Sequence, residues 1–82
     1  MDKQIAKTIT DILVNKIGLE KTEVTADANF AKDLGIDSLD YAELIMEFEQ
    51  AFDIKINDDD AEGLTTLSEV TAFIEEKISD KK

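Results

Sequence analysis

The chain contains no cysteine and no histidine. Without cysteine there is neither a disulfide framework nor a thiolate to bind metal or attack a substrate, and without histidine the commonest general base is missing. Only 3 glycines punctuate the sequence, and the strict alternation of apolar and polar residues that marks a half-buried strand is absent despite frequent valine and isoleucine. No apolar run approaches the roughly 20 residues that span a bilayer. The opening residues, Met1 to Asn15, alternate charge with apolar groups instead of forming the apolar centre of a secretory leader. These absences predict a cytoplasmic helical protein with no membrane partner and little capacity for enzyme chemistry.

Basic residues are also scarce: 9 Lys and Arg stand against 20 Asp and Glu, a formal net charge of −11. That balance disfavours binding to a phosphate backbone, so no nucleic-acid partner is expected, and it favours basic protein surfaces reached through long-range attraction. The acidity is concentrated. From Asp33 to Glu62 eleven acidic residues face Lys55 alone, whereas the rest of the chain is nearly balanced. Two readings of the segment stand: a solvated face without a partner, or an address for something positive.

What is present suits a single small domain over residues 1–82, with 43% hydrophobic and 35% charged residues: too apolar for disorder, too short for a large core, and expected to be a marginally stable monomer. Ile5, Ile9, Ile12, Leu13 and Ile17 recur at helical spacing, with Asp2 as a cap and Gly18 as a stop. Leu19 to Ile36 loses the period and reads as a long loop anchored by Val24, Phe30, Leu34 and Ile36. A second helix opens at Asp37-Ser38-Leu39-Asp40, where Asp37 caps and Asp40 sits in register for a carboxylate capping box. At about 100° per residue, Tyr41, Leu44, Ile45, Phe48 and Phe52 share its broad face, and Asp40, Glu43 and Glu47 form a stripe roughly opposite. Leu39, Ala42 and Met46 lie beside that stripe, either packed against the loop or left as an apolar strip bordered by acid. Asn57 to Gly63 allows one short helical turn, capped by Asn57 and ended by Gly63. Thr66 and Glu69 are in capping-box register ahead of Leu67, Val70, Phe73, Ile74 and Ile78, and Lys77, Lys81 and Lys82 suit the end of that last helix.

The chemistry the sequence supports is narrow. Ser38 has no histidine to activate it, and Gly35-Ile36-Asp37-Ser38-Leu39 lacks the second glycine of a nucleophile elbow, so a serine hydrolase is excluded. Structurally Ser38 is a polar residue in the first turn of a helix; functionally, a phosphate attached there would meet free N–H groups and the positive end of the helix dipole. Flanking Asp37 and Asp40 repel such a phosphate but attract a basic or metal-bearing enzyme that installs it. The run Asp58-Asp59-Asp60 fails as a calcium loop, because its twelfth position, Glu69, and its ninth, Thr66, are the residues that start the last helix. No dedicated metal site is expected, only loose relief of charge by divalent cations.

Phe30-Ala31-Lys32-Asp33-Leu34-Gly35-Ile36-Asp37-Ser38-Leu39-Asp40 resembles the loop and attachment motif of the acyl carrier proteins of dissociated (type II) fatty acid synthesis. Glu43-Leu44 through Phe52-Asp53-Ile54 resembles that family's recognition helix, and Asp58 to Glu62 with Thr65-Thr66 extends the likeness over nearly the whole chain. The resemblance implies an all-α fold: a small four-helix bundle with three longer helices, one short one, and a long loop between the first two. It implies a non-catalytic carrier whose Ser38 receives phosphopantetheine from coenzyme A through a phosphopantetheinyl transferase and holds acyl chains as thioesters. By position, Asp37, Leu39, Asp40, Glu43, Met46 and Glu47 are the docking residues for fatty acid synthesis enzymes with basic patches, and Phe30, Ile45, Phe48, Leu64 and Leu67 line an acyl pocket. The chain departs from the family at Tyr41, where many relatives have a smaller residue, and at Asn57, where proline is frequent. Those departures leave open a carrier for polyketide or other specialised acyl chains. From a different class, the rival is an acidic helical interaction module that is never modified.

Overall fold

The helical period that begins at Ile5 is realised as α1, Lys3–Ile12, in a computed structural model that describes residues 3–81. Ile5 and Ile9 bury one face of it, which Leu13 continues into the next turn. The expected cap Asp2, the terminal Lys82 and the side chain of Lys81 lie outside the described residues. Past Ile12 the winding departs from a plain α-helix: Leu13–Ile17 forms a π-helical turn, closed by Gly18 at φ 87°. The left-handed glycine folds the chain back so that the N–H groups of Gly18 and Leu19 both converge on the Leu13 carbonyl, and this holds that acceptor in the wider register. Apolar spacing cannot reveal the change, because Leu13 and Ile17 reach the core in either winding.

The long loop is fastened at several points. Lys21–Glu23 makes one 3-10 turn. The Phe30 N–H donates to the Thr65 carbonyl at 2.8 Å and the Ser68 N–H to the Ala26 carbonyl at 3.0 Å, with a single antiparallel bridge between Asn29 and Thr66. Between these ties, the Asn29 carboxamide oxygen accepts from the N–H groups of Ala31 and Lys32, and the Asp33 carboxylate accepts from the Asn29 N–H. Phe30 and Ile36 are buried, and Val24 and Leu34 pack against the core, so the four expected anchors hold.

Three further helices follow: α2, Ser38–Phe52, α3, Asp58–Glu62, and α4, Leu67–Lys81. With α1 they make an all-α bundle of three long helices and one short one, and among the described residues no strand forms. The inner faces of α1, α2 and α4 meet around Leu13, Leu44, Phe48, Val70 and Ile74, each essentially without solvent exposure; burial of such side chains is what stabilises a domain this small. α1 is the central post, packed against both α2 and α4.

Several caps differ from expectation in detail. Asp37 accepts the Asp40 N–H at 2.8 Å, but Asp40 does not return the bond, its side chain being one methylene shorter than the glutamate a capping box prefers. Asn57 caps α3 through its backbone carbonyl, which takes the Ala61 N–H, and its side chain makes no cap bond. Gly63 ends α3 with ordinary right-handed geometry, φ −87°, unlike Gly18. At α4, Thr66 accepts the Glu69 N–H, while the Glu69 carboxylate accepts from the Thr66 hydroxyl and from the N–H and hydroxyl of Thr65. Those bonds, the Thr65 hydroxyl first, hold the Glu69 carboxyl below its ordinary value.

Candidate functional site

Ser38 is the first residue of α2. Asp37 in extended geometry stops the loop, and the chain enters the helix with Ser38 on its outer rim, exposed to solvent. The Asp37 carboxylate caps the Asp40 N–H and the Asp37 carbonyl takes the Tyr41 N–H at 2.9 Å. The N–H groups of Ser38 and Leu39 are left facing the solvent end, as a helix start dictates. Among the described residues the Ser38 hydroxyl has no hydrogen-bond partner, so it is free to be derivatised. A phosphate on it would sit in the field of the helix N-terminus.

Ser38 stands at the mouth of two clefts. One, of about 270 Å³, runs between the start of α2, the long loop and the turn after α3, and is walled mainly by Phe30, Ala31, Ile36, Tyr41, Ala61 and Leu64. The other, of about 530 Å³, lies between α2 and α3 and includes Ala42, Ile45, Met46, Glu49 and Ile56 in its lining. Tyr41, Ala61 and Glu62 line both. The smaller cleft is walled almost wholly by apolar groups, while the larger mixes Ala42, Ile45, Met46 and Ile56 with Glu49, Asp58 and Glu62; beside a free hydroxyl they fit a long covalent arm with an apolar end, anchored at Ser38, whose end could enter either cleft.

Tyr41 crosses from α2 to α3. Its hydroxyl carries one proton, shared between the carbonyls of Ala61 and Leu64, and its ring lies 6.3 Å from that of Phe30 at a tilt of 45°. Burial, reinforced by the nearby Glu69 carboxylate, pushes its pKa up to about 12. Periodicity identifies Tyr41 only as a core-facing residue. The signal that could have shown more is its chemistry, since a tyrosine facing inward needs a partner for its hydroxyl.

Of the five residues expected around an acyl pocket, Phe30 and Leu64 line the smaller cleft and Ile45 the larger. Phe48 is fully buried at the centre of the core and lines neither. Leu67 lines a third hollow, between α1 and the long loop, away from Ser38. The family resemblance that groups these five gives each residue's place in the chain, and that does not separate cleft residues from core residues. It also left out Ile36, Ile56 and Ala61, which do line the clefts.

On the outer side of α2 the six expected docking positions share a solvent face. Leu39 is 81% exposed and Met46 56%, and Ala42 is exposed as well, so the apolar strip does not pack against the loop. Asp37 and Glu43 are exposed, Asp40 half-buried. Glu47 is partly engaged, its carboxylate 4.0 Å from the Lys16 ammonium, a loose surface pair of small energetic value. The surface is an apolar ridge flanked by carboxylates.

Comparison with known proteins agrees with this geometry. The family described as a phosphopantetheine attachment site matches residues 7–74. The chain is 45% identical over 78 residues to an acyl carrier protein of Amoebophilus asiaticus, covering 95% of this chain and 98% of that one. It is 47% identical over 74 residues to one of Akkermansia muciniphila, with 90% and 92% coverage, and 44% identical over 78 residues to one of Guillardia theta, with 95% and 96% coverage.

Proposed function

Because this chain belongs to the acyl carrier proteins, whose covalently attached phosphopantetheine carries acyl chains to the enzymes of fatty acid synthesis, we propose that Ser38 is the residue that bears the arm. The observation that carries the assignment is the free, exposed hydroxyl at the first turn of α2, set at the mouth of two clefts, the smaller of them walled mainly by apolar side chains. Attachment is a phosphoryl-group transfer. The Ser38 oxygen attacks the phosphorus of coenzyme A next to the pantetheine, a new phosphodiester forms, and the bond to the adenosine-side phosphate breaks, releasing adenosine 3′,5′-bisphosphate. The serine proton passes to a base of the transferase, since this chain has no histidine to take it. The arm, once attached, supplies a terminal thiol that holds acyl groups as thioesters.

The protein's own residues then do three things. The free N–H groups of Ser38 and Leu39 face the phosphate and offset its charge. The clefts on either side of Ser38 shelter the apolar cargo from water. The exposed ridge of Leu39 and Met46, bordered by Asp37, Asp40, Glu43 and Glu47, presents the arm to basic enzyme surfaces, the transferase among them. In this reading the chain catalyses nothing itself and works in the cytoplasm, where it meets its coenzyme A donor.

Intact mass tests the assignment. Incubation with coenzyme A and a phosphopantetheinyl transferase is expected to add one arm to the native chain and none to Ser38→Ala. An unchanged mass with several active transferases would favour an unmodified acidic interaction module, and an arm on Ser38→Ala would move the site elsewhere.

A further inference from the structure

Of the residues common to the two clefts beside Ser38, Tyr41 is the one whose side chain bonds across from α2 to the end of α3. Tyr41 lines both of them, and its hydroxyl is clasped by the Ala61 and Leu64 carbonyls at the end of α3. α3 has 5 residues, too few to persist as an isolated helix. It is held in place by the packing of Ile56, Ala61 and Leu64 and by this clasp. The clasp therefore controls two things at once: whether the clefts are separate, and how firmly α3 lies against α2.

We propose that Tyr41 sets how long an acyl group the Phe30–Leu64 cleft shelters, acting as a latch: a short chain fits that cleft with the latch closed, whereas a longer chain lying in it runs on into the second cleft only when the hydroxyl leaves both carbonyls and the ring swings aside. The inference rests on Ser38 bearing the arm, which is what brings cargo to these clefts. The smaller cleft, about 270 Å³, is less than twice the ~150 Å³ of an apolar cavity known to admit a benzene ring, so a short acyl group fits and a long one does not. Opening the latch strips the hydroxyl and two carbonyls of their mutual bonds in a half-buried place, which opposes entry of the longer chain. A smaller residue at position 41 would leave one continuous hollow without that threshold. Tyr41 is thus a specificity-determining residue that acts by positioning α3, with no part in chemistry.

The test uses the full chain loaded on its arm with butanoyl, hexanoyl, octanoyl, dodecanoyl and hexadecanoyl groups, each checked by intact mass, in the native protein, Tyr41→Phe and Tyr41→Ala. Two readouts are taken: the rate of thioester cleavage by hydroxylamine, and amide hydrogen exchange in α3. In the native protein, protection of the thioester should rise through the short chains and stop rising beyond a threshold length, where α3 exchange accelerates by about tenfold as local opening is populated. Tyr41→Phe keeps the wall without the clasp, so α3 should exchange faster with every cargo and the threshold should move to longer chains. Tyr41→Ala should abolish the threshold; should that variant fold poorly, Tyr41→Leu serves in its place. Correctly loaded proteins with the same length profile in all variants would overturn the latch and leave the Ser38 assignment intact. A chain that accepts no arm would overturn both.

Discussion

The hydroxyl of Tyr41 illustrates how a single atom leaves a trace in the pH dependence of stability. Its pKa is raised from 10.0 to about 12 in the folded protein, whereas the unfolded chain ionises at the ordinary value. Below pH 10 both states hold the proton and the clasp contributes fully; between pH 10 and about 12 only the unfolded state gives it up, so rising pH favours unfolding. Urea unfolding followed by far-ultraviolet circular dichroism should show a decline over that window that is smaller in Tyr41→Phe. Equal declines would remove burial of the phenol as the cause. At this scale the sequence is only partly legible. Ser38 stands out through its motif and its place at a helix start; Phe48 and Leu67, which the family resemblance groups around an acyl pocket, border neither cleft beside Ser38 in this structure, because a likeness by position tells inward from outward and not cleft from core. Thr71 was passed over altogether: it is fully buried, and its hydroxyl donates to the Leu67 carbonyl one turn back at 2.8 Å, which removes the cost that makes a buried threonine look out of place.

At the scale of elements, Gly18 and Gly63 are both legible in the sequence as helix stops, yet they stop their helices by different means. Gly18 has φ 87° and nothing within contact distance of the position a methyl group would occupy, whereas Gly63 is right-handed and such a methyl would rest at 3.6 Å from the Asp60 carbonyl, an ordinary contact. Gly18→Ala should therefore destabilise by about 1–2 kcal/mol through backbone strain alone. Gly63→Ala should stabilise by about 0.4–1 kcal/mol by restricting the unfolded chain. Thermal melts of the two variants decide the matter; shifts of the same sign would refute the distinction. The helices themselves were readable because their apolar residues repeat every three or four positions over a dozen residues or more. The π-helical turn was not, since it is imposed by where Gly18 and Leu19 send their N–H groups. The capping of α2 was half readable: the register of Asp37 and Asp40 was there, but the reach of an aspartate was too short to complete it.

Taken whole, the molecule is a lopsided charge distribution on a small apolar core. Of its net −11, nearly all falls in the segment that runs from just before α2 to the end of α3, so the same half of the surface carries the free hydroxyl, the exposed ridge and the repulsion. Association with a basic partner enzyme should be fast at low salt, and Glu43→Lys should slow it by about tenfold while helicity is kept. Glu47→Lys should slow it less, because Lys16 already lies against that carboxylate. Stopped-flow rates across a salt series give the comparison, and both effects should shrink as the screening length shortens. Rates insensitive to Glu43 would mean that the partner docks elsewhere. The concentration of charge was visible in the sequence; that the apolar strip of Leu39, Ala42 and Met46 stays uncovered was not, and needed the packing of the loop to be known.

The chain has no tryptophan and 1 tyrosine, and that ring bridges α2 and α3 beside the tether point. Almost all of the protein's intrinsic near-ultraviolet emission therefore originates from one address, and the intensity and lifetime of that glow would register passengers boarding or leaving without any dye being fixed to the surface.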